Sequence, residues 1–187
     1  MGIIAERGVA AATFEAIGRE AGYSRGLATQ HFGSKQRLID EVVTYLHDQQ
    51  ESHLRAAHID DLNGLDVLLA YVSAFCAALK RSDEPKSYFM LLSDAVANAH
   101  ETRAVFARAH ERIKSRLVKW IRQGQAEGLI RRDVDPGAMA VSVGSLLMGL
   151  GIQSLIDPDV RIATVEKSIT AALRRGLCVR ERRAPRD

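Results

Sequence analysis

Between Ala138 and Ile156 the chain runs nineteen residues without a charge, and no other feature restricts the possible folds so strongly. Strands seldom exceed about 10 residues, so a run that follows Asp135-Pro136 and stops at Asp157-Pro158 reads as one helix, with proline suited to its first turn. A helix apolar all round belongs in a helical interior, in a subunit contact or in a bilayer. Ser142, Ser145, Gln153 and Ser154 interrupt this one, acids stand at both ends, and it lacks flanking Lys/Arg or aromatic anchors, all of which weigh against the bilayer. Gly144, Gly149 and Gly151 lack bulk, which predicts close helix approach across a two-fold interface.

The remaining composition agrees with an all-α fold. Alanine, leucine and arginine dominate, aromatics are 5% and prolines number four, a helix-rich mixture. With 187 residues, 47% of them hydrophobic, the chain can bury a core in one domain or in a small module joined to a larger one. Cys76 and Cys178 have no partner at metal-ligand spacing and no signal peptide is visible in MGIIAERG, so reduced thiols in a cytoplasmic protein are expected. The basic charge is local. Six arginines crowd positions 174–187 against Glu181 and Asp187, and a short tail of this kind reads as a solvated end, so total charge decides nothing about partners.

Caps and glycines divide the N-terminal part into short helices. A helix ending at Arg7 is stopped by Gly8; Thr13 caps Phe14–Ala21, whose Phe14, Ile17 and Ala21 share a face; Gly22 ends it. Ser24 caps a second helix to His31 or Phe32, Gly33 breaks it, and Ser34 caps a longer amphipathic connector from Lys35 to Ala57 with Leu38, Ile39, Val42, Val43 and Leu46 inward. Further helices are predicted over 61–81, 85–98, 101–127, 135–156 and 161–177. In the third of these, Phe106, Ala109, Ile113, Leu117, Trp120 and Ile121 point inward, and Arg103, Arg108, Arg112, Lys119 and Arg122 outward.

On a helical wheel the second short helix has two faces, Arg25, Gly26, Thr29 and Gln30 on one and Leu27, Ala28 and His31 on the other. A helix-turn-helix that enters a major groove needs such a division. Arg25 suits guanine, Gln30 adenine, and Thr29 either base or a thymine methyl. Thr13, Ser24 and Lys35 are placed for phosphates. Tyr23 and His31 are either core fillers or phosphate contacts. The alternative is a plain helical bundle with a solvated polar face.

The wording TFEAIGREAGYSRGLATQHFGSKQRLIDEV resembles the tetracycline-repressor (TetR) family of bacterial transcription regulators in Ile17, Ala21-Gly22, Ser24-Arg25-Gly26, His31-Phe32, Ser34-Lys35 and Leu38. The resemblance implies an N-terminal three-helix DNA-binding domain, residues 1–45, and a helical effector-binding and dimerisation domain, residues 46–180, before the tail 181–187. It implies a homodimer joined through residues 135–177, double-stranded DNA and a small-molecule effector as partners, and neither cofactor, catalytic residue nor membrane. Two departures stand out: Thr29 occupies a position where the family usually has an aromatic, and the first helix is short. An effector would lie between the connector and the central helices, where Tyr71, Phe75, Tyr88, Phe89, Leu92, Phe106, His110, Trp120, Met148 and Gln153 could line an apolar cavity. Such a lining favours a lipophilic compound.

Rival functions have less to rest on. The chain carries no H-E-x-x-H, G-x-S-x-G or phosphate-loop pattern, so no enzyme is indicated. His47 and Glu51 share a helix face, with His58 two turns on, as a metal site would require; a solvated histidine-bearing face is the expectation. A helical interaction or membrane-associated protein without specific DNA binding is the remaining alternative.

Overall fold

Side-chain caps set several of the helix starts in the computed structural model, which describes residues 1–56, 61–98 and 100–179. His58 and the tail from Arg180 lie outside these residues. Helix α1 spans Gly2–Arg7 and is followed by a 3-10 turn, Val9–Ala11, that the residue pattern did not announce. Thr13 Oγ1 accepts from the Ala16 amide at 3.1 Å to start α2, Phe14–Ala21. Gly22 ends it in the left-handed conformation, where only glycine is unstrained. Ser24 Oγ accepts from the Leu27 amide at 3.2 Å to start α3, Arg25–Phe32. Ser34 Oγ accepts from the Arg37 amide at the head of α4, Lys35–Ala56.

The larger body contains α5 (Gly64–Arg81), α6 (Glu84–Ala97), α7 (His100–Ala126), α8 (Pro136–Ile156) and α9 (Ile162–Leu177). The described residues form no sheet, only one antiparallel bridge between Ile130 and Cys178. Helix α5 begins three residues later than the periodicity predicts, because Asn63 caps it by accepting from the Asp66 amide. Asp135 caps α8 in the same way, accepting from the Ala138 amide, with Pro136 in the first turn.

Two apolar clusters hold the fold. The first joins α5, α7, α8 and α9 around Leu68, Val72, Leu117, Ile121, Val143 and Leu177. The second joins Ile3 and Ile4 of α1 to Ile39 and Val43 of α4, Phe89, Leu91, Leu92 and Ala95 of α6, and Phe106 of α7. Helix α4 crosses position 45 without a break, and α1 sits on α6, where Ser87 Oγ donates to the Met1 carbonyl at 3.2 Å. The N-terminal helices are thereby packed onto the body.

The charge-free helix is two-sided. Ala140, Val143, Leu147, Leu150 and Gly151 are buried, whereas Val141, Leu146 and Ile156 are exposed, Ile156 at 72%. Its glycines have different surroundings from those expected: Gly144 faces a cavity and Gly151 is buried under Phe89, so only Gly149 lies on the outer face.

Helices α5 and α7 cross backbone to backbone. A Cβ on Gly64 would lie 2.1 Å from the Gly124 nitrogen and 2.3 Å from the Trp120 carbonyl oxygen, and the Gly64 amide donates to Glu127 Oε2 at 2.8 Å. Backbone cannot retreat as a side chain can, so Gly64→Ala is expected to destabilise by about 1–3 kcal/mol. Urea melts check this: a lower midpoint at unchanged slope supports the crossing, and a wild-type midpoint contradicts it.

Candidate DNA-reading face and ligand cavity

Helices α2 and α3 are held together by a parallel stack of Phe14 on Phe32, 6.4 Å between ring centres, and by buried Ala28. Their turn passes so close to α2 that a Cβ on Gly18 would lie 2.8 Å from the Tyr23 carbonyl oxygen. The turn therefore needs a residue without a side chain at position 18, a requirement that sequence reading missed.

Ala28 and Phe32, four residues apart, define the inner edge of α3. That edge rotates the helix relative to the sequence expectation. Leu27 is 48% exposed and His31 is exposed beside Arg25, Gly26, Thr29 and Gln30; neither Leu27 nor His31 is inward as the wheel suggested. The exposed face thus gains an aliphatic group able to press on a thymine methyl. Thr29 Oγ1 donates to the Arg25 carbonyl at 3.0 Å, so its hydroxyl proton is spent within the helix. Lys35 Nζ donates to the Val9 carbonyl at 3.0 Å, tying the head of α4 to the 3-10 turn. Thr13 and Ser24 are exposed caps, and Tyr23 between the helices is 63% exposed.

The body contains a cavity of about 160 Å³, partly open to solvent, between α4, α5, α6, α7 and α8. Of the residues predicted for an effector, Tyr71, Phe75, Tyr88, Phe89, His110 and Met148 line it. Four do not. Leu92 is buried in the second apolar cluster, Phe106 packs behind Tyr88 at 5.3 Å, Trp120 lies behind Tyr71 at 5.7 Å, and Gln153 is exposed on the outer side of α8. Gly151 makes room for Phe89: a Cβ there would lie 2.1 Å from the ring.

Polar groups sequence reading did not assign complete the wall. His47 and Gln50 line the cavity from α4. Their spacing carried the signal, since Val43, His47, Gln50 and Leu54 recur at i, i+4, i+7 and i+11, an inward stripe. Far from standing on a solvated face, His47 is 6% exposed, and its Nε2 has no hydrogen-bond partner. Gln50 Nε2 donates weakly to Tyr71 Oη at 3.5 Å, and Tyr88 Oη is 2.6 Å from His110 Nε2. Burial, with the nearby positive charges of His110 and Arg112, lowers the His47 pKa from 6.5 to about 4. Burial likewise lowers His110 and raises the Tyr88 phenol, and it lifts Tyr71 to about 12. The described residues contain no group of three or more His, Cys, Asp or Glu placed to hold a metal ion.

Residues 1–42 match the family model of bacterial regulatory proteins, tetR family, and residues 65–178 match that of the BetI-type transcriptional repressor, C-terminal. The chain belongs to the TetR family. It is 26% identical over 178 residues to the HTH-type transcriptional regulator TtgR of Pseudomonas putida, covering 90% of this chain and 83% of that protein. The fold matches that of a protein from Saccharomonospora viridis solved with choline, at TM-score 0.79 and 22% identity over 95% of this chain and 93% of the other. It also matches AibR solved with isovaleryl coenzyme A and operator DNA, at TM-score 0.72 and 20% identity over 91% of each chain. As a TetR-family member the chain is a DNA-binding transcriptional regulator and not an enzyme.

The buried imidazole gives this TetR-family protein a pH-dependent stability. Above pH 6.5 His47 is neutral whether folded or not; as the pH falls from there toward 4, the unfolded chain takes up a proton that the folded state refuses. Stability therefore drops with acidification, by on the order of 2 kcal/mol between pH 7 and pH 5 for this residue alone. Urea melts at both pH values, on wild type and His47→Leu, isolate it: the variant should lose less stability on acidification, and equal losses would mean that His47 is hydrated.

Proposed function

We propose that the protein is a cytoplasmic, ligand-responsive repressor that binds a palindromic operator as a homodimer and is released by a small, lipophilic effector. The observation that carries this reading is the sharing of α6. Tyr88 and Phe89 wall the cavity, while Ser87 bonds the Met1 carbonyl and Leu91, Leu92 and Ala95 belong to the apolar cluster that buries Ile3 and Ile4 of the DNA-binding head. A ligand that spreads the cavity shifts α6 and with it the orientation of α3. The repressor assignment is supported by the matched BetI-type repressor model, and the ligand response by relatives solved with choline and with isovaleryl coenzyme A.

Dimerisation is supported by the outer faces of α8 and α9. Val141, Leu146, Gly149 and Ile156 on one, and Ala163, Ser168, Ala171 and Ala172 on the other, are exposed and small or apolar, a surface that asks for a partner. Among the described residues α8 is the one helix long and apolar enough to cross a membrane. Its inner face is occupied by the protein core, which favours the subunit contact over the bilayer.

Arg25, Leu27 and Gln30 serve as base readers in this reading, Thr13, Tyr23, Ser24, His31 and Lys35 as phosphate contacts, and Gly26 and Thr29 as the close-approach positions. A gel shift titrated with salt on the DNA flanking the gene tests it. Binding should weaken with salt, and Arg25→Ala and Gln30→Ala should each lose about 1–3 kcal/mol of sequence discrimination. If no palindromic site outcompetes random DNA, the reading fails.

The interface has its own measurement. Leu146→Glu should convert the dimer into a monomer in analytical ultracentrifugation and reduce operator affinity, because two half-sites can no longer be held together. A wild-type monomer would remove the dimer from the proposal.

A further inference from the structure

The cavity joins an apolar body to one unsatisfied polar atom. Phe75, Leu147 and Met148 supply hydrocarbon wall, whereas His47 is a buried imidazole whose Nε2 lacks a hydrogen-bond partner. An unmade hydrogen bond of this kind is costly, and buried polar atoms in folded proteins are almost always satisfied. Of the neighbouring polar groups, Tyr88 and His110 are paired at 2.6 Å and Gln50 reaches Tyr71 only weakly at 3.5 Å. Among the buried side-chain polar atoms of the described residues, His47 Nε2 is the one with no partner at all.

We propose that His47 is the polar anchor of the effector, and that the effector is a neutral single-ring phenol. The inference rests on the cavity being the ligand site of the regulator described above. Size comes first: a dry cavity of about 150 Å³ accepts benzene, and this one measures about 160 Å³, room for one substituted ring. Charge comes second. Neither lysine nor arginine lines the cavity, so a carboxylate would be stripped of water without compensation. The single acid, Glu84, is part-buried at the start of α6, and a quaternary cation drawn to it has no hydrogen bond to give His47.

The choice of hydroxyl follows from the imidazole. In a neutral histidine Nε2 either donates or accepts according to the tautomer, and a hydroxyl can meet both states, whereas a ketone or ether meets only one. The Tyr88 ring packs edge to face on the imidazole, 5.2 Å between ring centres and tilted by 88°. In this proposal a ligand hydroxyl reaches the buried Nε2 by displacing that ring and its 2.6 Å contact with His110, which places the binding event on α6 itself.

Calorimetry on the intact protein with four matched probes tests the anchor: 4-ethylphenol, ethylbenzene, 4-ethylbenzoate and trimethylphenylammonium. Wild type should bind the phenol about tenfold more tightly than ethylbenzene, the worth of roughly one hydrogen bond, and should reject both ions. His47→Leu should bind phenol and ethylbenzene alike, and His47→Gln should restore part of the preference. Equal binding of phenol and ethylbenzene to wild type, a preference that survives in His47→Leu, or tighter binding of either ion overturns the proposal, as does no binding by any probe. Should His47→Leu not fold, the wild-type series and His47→Gln decide. Operator binding, followed in the same preparations by gel shift, separates the two levels: intact operator recognition without a phenol preference sinks the anchor alone, and a phenol preference without operator recognition sinks the regulator reading alone.

Discussion

The contact of Phe89 with Gly151 is the joint on which the architecture turns. Phe89 is 2% exposed and reaches across from α6 to α8 at a point where any side chain on the facing helix would collide with its ring. It meets Phe75 of α5 edge to face at 6.2 Å and Tyr88 at 5.4 Å, so one side chain touches the cavity wall, the charge-free helix and the seat of α1. Aromatic burial of this kind carries more energy than any exposed ion pair in the molecule can supply. Because Phe89 packs directly on Gly151, a displacement of its ring bears on α8 as well as on α6, which carries it.

That geometry explains why the DNA-binding head is more than a tethered module. Ile3 and Ile4 are buried on α6, Ser87 holds the Met1 carbonyl, and Gln36 and Thr102 exchange hydrogen bonds of 2.7 and 2.9 Å between α4 and α7. The apolar cluster beneath the head contains residues from both parts, so the two share one core.

The elements of the head were legible in the sequence because caps are local. Thr13, Ser24 and Ser34 each bond an amide three residues on, and no tertiary information is needed to see that. What was illegible depended on neighbours distant in sequence. The rotation of α3 is set by Phe14 stacking on Phe32, so Leu27 and His31 faced outward against the wheel expectation. The bridge of Ile130 to Cys178 likewise follows from tertiary contact, whereas the Asn63 cap that delays α5 is as local as the others and is hidden only from apolar periodicity. In the cavity, six of ten expected residues line the wall because aromatics gravitate there. His47 was expected on a solvated face although its spacing placed it inward, since a histidine followed by Asp48 and Glu51 reads as surface until the burial of Val43 and Leu54 on the same stripe is known.

The lack of charge along α8 is required twice over, for different reasons on its two sides. On the inner side, Gly144, Leu147 and Met148 form part of the cavity wall and Gly151 receives Phe89; a charge there would be buried without a partner. On the outer side, Val141, Leu146 and Ile156 stand exposed in the single chain, and a charge there would be buried in the proposed dimer. In the proposed dimer one helix would serve both as wall of the cavity and as subunit contact, a thickness of only about 10 Å. In the proposed two-fold assembly the cavities of the two protomers would be separated by little more than a pair of such helices, so occupancy of one would be felt at the interface as well as at α6. Apolarity on every side is what permits a single helix to hold both positions.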